Sequence, residues 1–184
     1  MKKIMVLCIC GAMFAGGAIA GWKDAVPAKD SSLVVKTAAG ESLRIDVLAE
    51  NLFRVRRSAG GEWTESGMNR YGVLKRDWAA VKFAKSANAL STAAAELTVD
   101  AASGDIRLKS LVSRADVAIR SELAGKGYKV RFSLDKGERV YGLGDVSREN
   151  IQRRGRRYEI WVKNVNSYIP MPMAVTSKGW RVLM

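Results

Sequence analysis

From Ser31 onward the apolar residues recur at every second position, and that period settles the class of fold before composition is considered. Tyr128, Val130, Phe132 and Leu134 alternate with Lys129, Arg131 and Ser133, the cleanest such run. Ser42 to Val47 alternates polar with apolar, and Leu52 to Arg57 repeats the pattern with Phe53 and Val55 inward and Arg54 and Arg56 outward. A period of two belongs to a strand with one buried and one wet face. Glu62-Trp63-Thr64, Val81-Lys82-Phe83, Glu96 to Asp100, Ile106 to Lys109, Val117 to Arg120, Val140-Tyr141 and Trp180 to Met184 add further strands. Gly60-Gly61, Ala101 to Asp105, Gly125 to Gly127, Asp135 to Glu138 and Lys178-Gly179 supply the turns between them. No stretch of this region sustains an i, i+3, i+4, i+7 apolar pattern. The run Ala87 to Ala95 suggests a helical turn, but it lacks large apolar residues to bury. About ten short strands with turns every 8–12 residues predict an all-β fold, an antiparallel β-sandwich.

The first twenty residues obey another rule. Lys2 and Lys3 form a positive n-region, Ile4 to Ile19 is an uncharged run of apolar and small residues, and Ala18-Ile19-Ala20 is an A-x-A cleavage site. The run is shorter than the roughly 20 predominantly apolar residues of a membrane span and turns Gly/Ala-rich at its end. Cys8 and Cys10 come too early for a lipoprotein signal. Residues 1–20 are therefore expected to be a signal peptide, and residues 21–184 an exported β-sandwich domain, periplasmic or secreted, with no stable membrane anchor after cleavage. Lys178-Gly179 opens a last hairpin whose strand stops at Met184 without a turn, which suggests a domain truncated at its C-terminal end.

Composition then removes several chemistries. Both cysteines lie in the leader and histidine is absent, so thiol and Ser-His-Asp catalysis and the usual His/Cys zinc sites are excluded from the chain after Gly21. Only carboxylate chemistry or oxygen-ligated metals remain, and no cofactor or metal site is expected. Of 31 Lys+Arg, removal of Lys2 and Lys3 leaves 29 against 18 Asp+Glu, a net charge of +11. Such a surface suits nucleic acid, anionic lipid or acidic polysaccharide, or is simply solvated. Export argues against nucleic acid.

Three motifs stand in the last third of the chain. Tyr141-Gly142-Leu143-Gly144-Asp145 comes after a strand as a nucleotide-binding glycine loop does, but the third glycine of that fingerprint falls at Ser147 and no βαβ unit surrounds it. The glycines instead permit positive φ or close backbone packing. Arg148, Arg153, Arg154, Arg156 and Arg157 either grip anionic groups or form a solvated strand edge protected by charge. Trp161-Val162-Lys163-Asn164-Val165-Asn166-Ser167-Tyr168 combines aromatic rings that stack on sugar C–H faces with amides that bond paired hydroxyls. The same residues also serve as core aromatics and turn formers.

Taken in order, Glu138 to Asp145, Arg154-Gly155, Tyr158 to Trp161, Tyr168 to Pro172 and Ser177 to Trp180 resemble glycoside hydrolase family 31. That family shows a YGLGE-like turn, an R-G step, a W-N-x-D loop, a Y-x-x-I-P-F segment and an S-x-x-G-Y-G strand. Upstream, Leu43 to Val55 and Val99 to Ile106 also look like its N-terminal sandwich, so the resemblance covers nearly the whole chain after the leader.

The resemblance implies a galactose mutarotase-like sandwich leading into a catalytic (β/α)8 barrel, with Gly142, Gly144 and Gly155 as structural turn positions. It further implies that Trp161, Asn164, Asn166 and Tyr168 lie on a loop at the mouth of the barrel's active site. Here the loop is short and carries Asn where many members carry Asp, and Asp145 replaces the more usual Glu. The family's enzymes are retaining α-glycosidases that need two carboxylates about 5–5.5 Å apart. The family carries both on a barrel of about 250 residues, more than this chain contains. No catalytic residue is expected here, and the isolated chain is expected to be inactive. The implied partners are the catalytic barrel and, through the full enzyme, an α-linked oligosaccharide such as an α-glucoside or α-xyloside. Two other readings of the same residues are a stand-alone carbohydrate-binding or partner-docking sandwich and a basic module for anionic polymer.

Overall fold

The computed structural model describes residues 5–10, 32–63, 71–72, 75–113, 115–124, 127–145, 150–159 and 169–184. Among these the chain forms thirteen strands and no helix. They are β1 (Met5–Cys10), β2 (Ser32–Lys36), β3 (Ser42–Ala49), β4 (Leu52–Ser58), β5 (Phe83–Lys85), β6 (Ala89–Thr92), β7 (Ala95–Val99), β8 (Ile106–Ser110), β9 (Asp116–Ala124), β10 (Gly127–Phe132), β11 (Val140–Asp145), β12 (Ile169–Thr176) and β13 (Arg181–Leu183). A seven-stranded sheet has the order β11-β12-β13-β1-β4-β3-β2, and a six-stranded sheet runs β10-β9-β8-β7-β6-β5 as a meander. Every pairing is antiparallel.

Alternation builds the core. Leu33 and Val35, Leu43 and Ile45, Phe53 and Val55, and Val182 are buried from the first sheet. Leu90, Leu97 and Val99, Ile106 and Leu108, and Val117 and Ile119 are buried from the second, all in one cluster. Each fully buried side chain of this size contributes about 2 kcal/mol relative to exposure. The intervening residues of β8 and β9, such as Arg107, Lys109, Ala118 and Arg120, are exposed. β10 keeps its alternation but lies at an edge, so Tyr128 is exposed while Val130 and Phe132 are only partly buried against the core.

Several expectations are corrected. The Ala87 to Ala95 run holds no helical turn; it contains β6 and the start of β7. Leu90 supplies the buried apolar side chain, and the Thr92 hydroxyl donates to the Glu50 carbonyl at 2.5 Å while accepting from the Ala95 amide at 3.0 Å. Glu62 and Trp63 form no strand, and Thr64 lies outside the described residues. Trp63 instead sits under the Arg56 guanidinium, whose Cζ lies 5.6 Å from the Trp63 ring centroid. The strand expected at Val81 begins only at Phe83. Separately from these corrections, Met5–Cys10 pairs as β1 between β4 and β13, which leaves the expectation of a cleaved leader untouched.

Two charged groups brace the first sheet. Arg57 comes after Phe53 and Val55 on the inward face and is buried, yet it is fully engaged. It donates to Glu41 through Nε (2.8 Å) and Nη2, and through Nη1 to the Ser121 carbonyl and hydroxyl, joining β4 to β9. On the other face Asp46 accepts from Arg44 Nε (2.9 Å), Arg54 Nε (2.9 Å) and Arg56 Nη2 (3.0 Å). Burial alone raises the Asp46 pKa, but the charges of Arg56, Arg54 and Arg44 outweigh it and hold the carboxyl below its ordinary value.

A folded-state pKa below the unfolded one gives stability that is present at neutral pH and is lost as pH falls through the folded value. Asp46→Asn should therefore cost about 2 kcal/mol at neutral pH, because three clustered guanidiniums lose their counter-charge. The deficit should shrink below about pH 4. Urea denaturation of both proteins at neutral pH and near pH 3 checks this; an equal gap at both would refute the electrostatic account.

Candidate functional site: a glycine bulge held by a buried arginine

β11 and β12 form the hairpin-like pair that brackets the Trp/Asn/Tyr segment. Their register runs Val140 to Thr176, Tyr141 to Val175 and Gly142 to Ala174, then shifts, so that Gly144 faces Pro170 and Asp145 faces Ile169. The shift sets the single residue Leu143 of β11 against Met171 to Met173 of β12, and three residues of β11 at this irregularity are left-handed: Gly142 at φ 106°, Leu143 at φ 68° and Gly144 at φ 74°. Bulges increase local twist and redirect the strand beyond them. The two glycines are required by space as well as by φ. A Cβ at Gly142 would lie 2.3 Å from the Met173 carbonyl oxygen, and one at Gly144 would lie 2.0 Å from that of Ile169.

Arg153 holds this bulge. Its Nε donates to the Gly142 carbonyl at 3.1 Å and its Nη2 to the Gly144 carbonyl at 3.3 Å. Its own amide donates to Val140 at 2.7 Å. The guanidinium lies 4.8 Å from the Tyr158 ring centroid, so the aromatic face supplies part of what water would have given the charge. Arg153 is 7% exposed, and its Nη1 and the Tyr158 hydroxyl are buried without a hydrogen-bond partner among the described residues. The buried cation thus spans both carbonyls that flank Leu143.

The surrounding turns are tied to the same place. Arg154 Nη1 donates to the carbonyls of Asp135 (2.6 Å) and Glu138 (2.7 Å). Glu138 accepts the Trp180 indole N–H at 2.8 Å on one oxygen and the Asp135 amide at 2.9 Å on the other. Trp180 is buried and stacks on Phe132 with centroids 5.2 Å apart. Both Glu138 oxygens serve the scaffold, as both Asp46 oxygens do. Neither carboxylate is free for acid–base work.

The sequence-level candidates divide. Gly142 and Gly144 form the bulge; Gly155 is left-handed at φ 77° but sits in open space, with nothing within 4 Å of a Cβ. Trp161, Asn164, Asn166 and Tyr168 lie outside the described residues, as does Arg148. The ends of that segment are nonetheless defined: Tyr158 under Arg153 on one side, and Ile169 opposite Asp145 on the other. The arginine cluster's four described residues, Arg153, Arg154, Arg156 and Arg157, form neither a strand edge nor a common grip. Arg153 is buried, Arg154 binds carbonyls, and Arg157 reaches Glu159 at 3.1 Å while fully in solvent. Sequence reasoning missed the separate duty of Arg153, because nothing in residue type distinguishes it from its four neighbours.

The family model described as the glycosyl hydrolase 31 N-terminal galactose mutarotase-like domain matches residues 42–176, and the chain belongs to that family. Among solved structures it is similar in fold to a glycoside hydrolase 31 α-xylosidase from Xanthomonas citri, with TM-score 0.62, 17% identity, and coverage of 83% of this chain and 18% of that one. It is likewise similar to a glycoside hydrolase 31 dextranase from Flavobacterium johnsoniae, solved with isomaltotriose and with glucose, with TM-score 0.59, 17% identity, and coverage of 80% and 20%. The chain thus spans about a fifth of the length of these neighbours. Comparison with curated protein sequences finds no match.

The bulge makes a graded prediction. Gly144→Ala should destabilise by about 3 kcal/mol, combining a forbidden φ with backbone overlap, whereas Gly155→Ala should cost about 1 kcal/mol for φ alone. Denaturant midpoints of the two variants check it, and equal losses would mean that the bulge is not sterically fixed.

Proposed function

We propose that this chain is the N-terminal, non-catalytic domain of an exported family 31 α-glycoside hydrolase of α-glucosidase or α-xylosidase type. In this reading it shapes the substrate entrance and packs on the catalytic barrel. The observation that carries the reading is the family match over residues 42–176, which contain the whole six-stranded sheet, β3, β4, β11 and β12 of the other sheet, and Arg153 with the glycines it holds. The leader-like first twenty residues support export.

The surface supports a packing role. Ile169 (66% exposed) and Met171 (45% exposed) share a face of β12 with Met173, and Met173 pairs with the exposed Leu183 of β13. A contiguous apolar stripe on the outside of a sheet marks an interaction face. The stripe begins at Ile169, directly after the Trp161 to Tyr168 segment in the sequence, and the family resemblance makes Trp161, Asn164, Asn166 and Tyr168 the candidate contacts for an α-linked oligosaccharide.

Two measurements test this reading. The purified chain should release no p-nitrophenol from p-nitrophenyl α-glucoside or α-xyloside; detectable turnover would overturn the non-catalytic assignment. The isolated chain should also self-associate through the apolar stripe, and the double variant Met171→Asp, Leu183→Lys should shift it toward monomer in light scattering. An unchanged mass distribution would rule out the stripe as the docking face.

A further inference from the structure

The seven-stranded sheet depends on a strand from the wrong end of the chain. β1 lies between β4 and β13 and pairs with both. Without it the sheet divides into β11-β12-β13 and β4-β3-β2, and the facing edges of β13 and β4 have no partner. Those edges are not surface strands: Phe53, Val55 and Val182 are buried in the core. Register sets Leu7 opposite Val55, and Ile9 opposite both Phe53 and Val182. Yet Met5–Cys10 lies within the expected leader, and one segment cannot be both a paired interior strand and a segment delivered to the export machinery and cut away.

We propose that the space between β4 and β13 is a strand-acceptor site, held by Met5–Cys10 while the leader is attached and taken by the strand after β13 in the parent enzyme once it is removed. The proposal rests on the reading of the chain as the exported N-terminal domain of a longer enzyme. Topology supplies the occupant. β1 is antiparallel to both neighbours. A chain that leaves β13 and reverses through a tight turn also runs antiparallel to β13, and so to β4. It enters the same space in the same direction, as sequentially adjacent strands commonly do. The six residues of β1 carry no charge, which sets the chemistry of the occupant: an extended, uncharged segment with apolar residues at the two positions opposite Phe53 and Val55. Recognition is by β-augmentation, with main-chain hydrogen bonds on both sides.

The test starts from the full chain with a specific protease site placed between Ala20 and Gly21. After the cut, a fluorescent peptide copying residues 4–11 should exchange into the folded protein at one per chain. The same peptide with Leu7→Asp and Ile9→Asp should bind roughly tenfold or more weakly, because charge is forced against buried positions. Uncut protein should take up neither. A cut chain extended after Met184 by Asn-Gly and a copy of residues 5–10 should no longer accept the peptide. Equal binding of both peptides, or no exchange into a cut chain that keeps its β-sheet circular dichroism, would overturn the site. Continued uptake by the extended chain would overturn the downstream occupant.

A second measurement does not depend on stability after the cut. In the uncut Cys10→Ser, Leu183→Cys variant, mild oxidation should join Cys8 to the new cysteine, since directly opposed residues sit within disulfide range. Failure to form that bridge would show that the leader strand does not hold the space. Because the cut is engineered, these outcomes stand apart from natural processing; N-terminal sequencing of the exported protein tests that reading on its own.

Discussion

Each sheet of this domain has one apolar face, and the two faces must meet for either to be stable. That constraint reaches every part of the molecule, because alternation assigns positions to the core without regard to their chemistry. Phe53, Val55 and Arg57 occupy successive inward positions of β4, so the same rule that buries an aromatic ring and a valine also buries a guanidinium. The charge is tolerated because Glu41 accepts from two of its nitrogens and Ser121 from the third. A buried cation stripped of its partners costs several kcal/mol, so this set of contacts fixes how β4 and β9 sit against each other.

Arg153 solves a different problem by similar means. The register shift between β11 and β12 leaves the Gly142 and Gly144 carbonyls to Arg153 and places a non-glycine residue, Leu143, in the left-handed region. Unpaired carbonyls there would be costly, and a guanidinium is well suited to them because its planar donors reach two acceptors at once. The Tyr158 ring then covers the charge. The consequence is positional: Tyr158 is packed on Arg153 before the segment between Glu159 and Ile169, and Ile169 after it pairs with Asp145 of β11. Rigid ends of this kind are what a loop needs if it is to present side chains to a ligand.

The strands and the sandwich were legible in the sequence because a period of two survives almost everywhere that one face is buried. Where it failed, the reason was local. The Ala87 to Ala95 run reads as weakly helical by propensity, but Leu90 and Thr92 have inward places to fill, and tertiary packing overrode the alanines. Arg57 could have been placed in the core by extending the Phe53 and Val55 alternation by one step. Arg153 had no comparable signal, since burial of one arginine among five is decided by a bulge whose partner strand lies some twenty residues further on. The composition of residues 1–20 gives an expectation about export, while the pairing of Met5–Cys10 as β1 depends on the edges of β4 and β13, which no local pattern reveals.

At the centre of this account is the claim that the sandwich is one part of a longer glycosidase. The most direct measurement is the size of the native polypeptide, by immunoblot of the source cells with antibody raised against this chain. The account predicts a band several-fold larger than a 184-residue polypeptide, with the catalytic barrel attached. A band at the size of the chain itself, with or without its first twenty residues, would contradict it and mean that the sandwich acts alone.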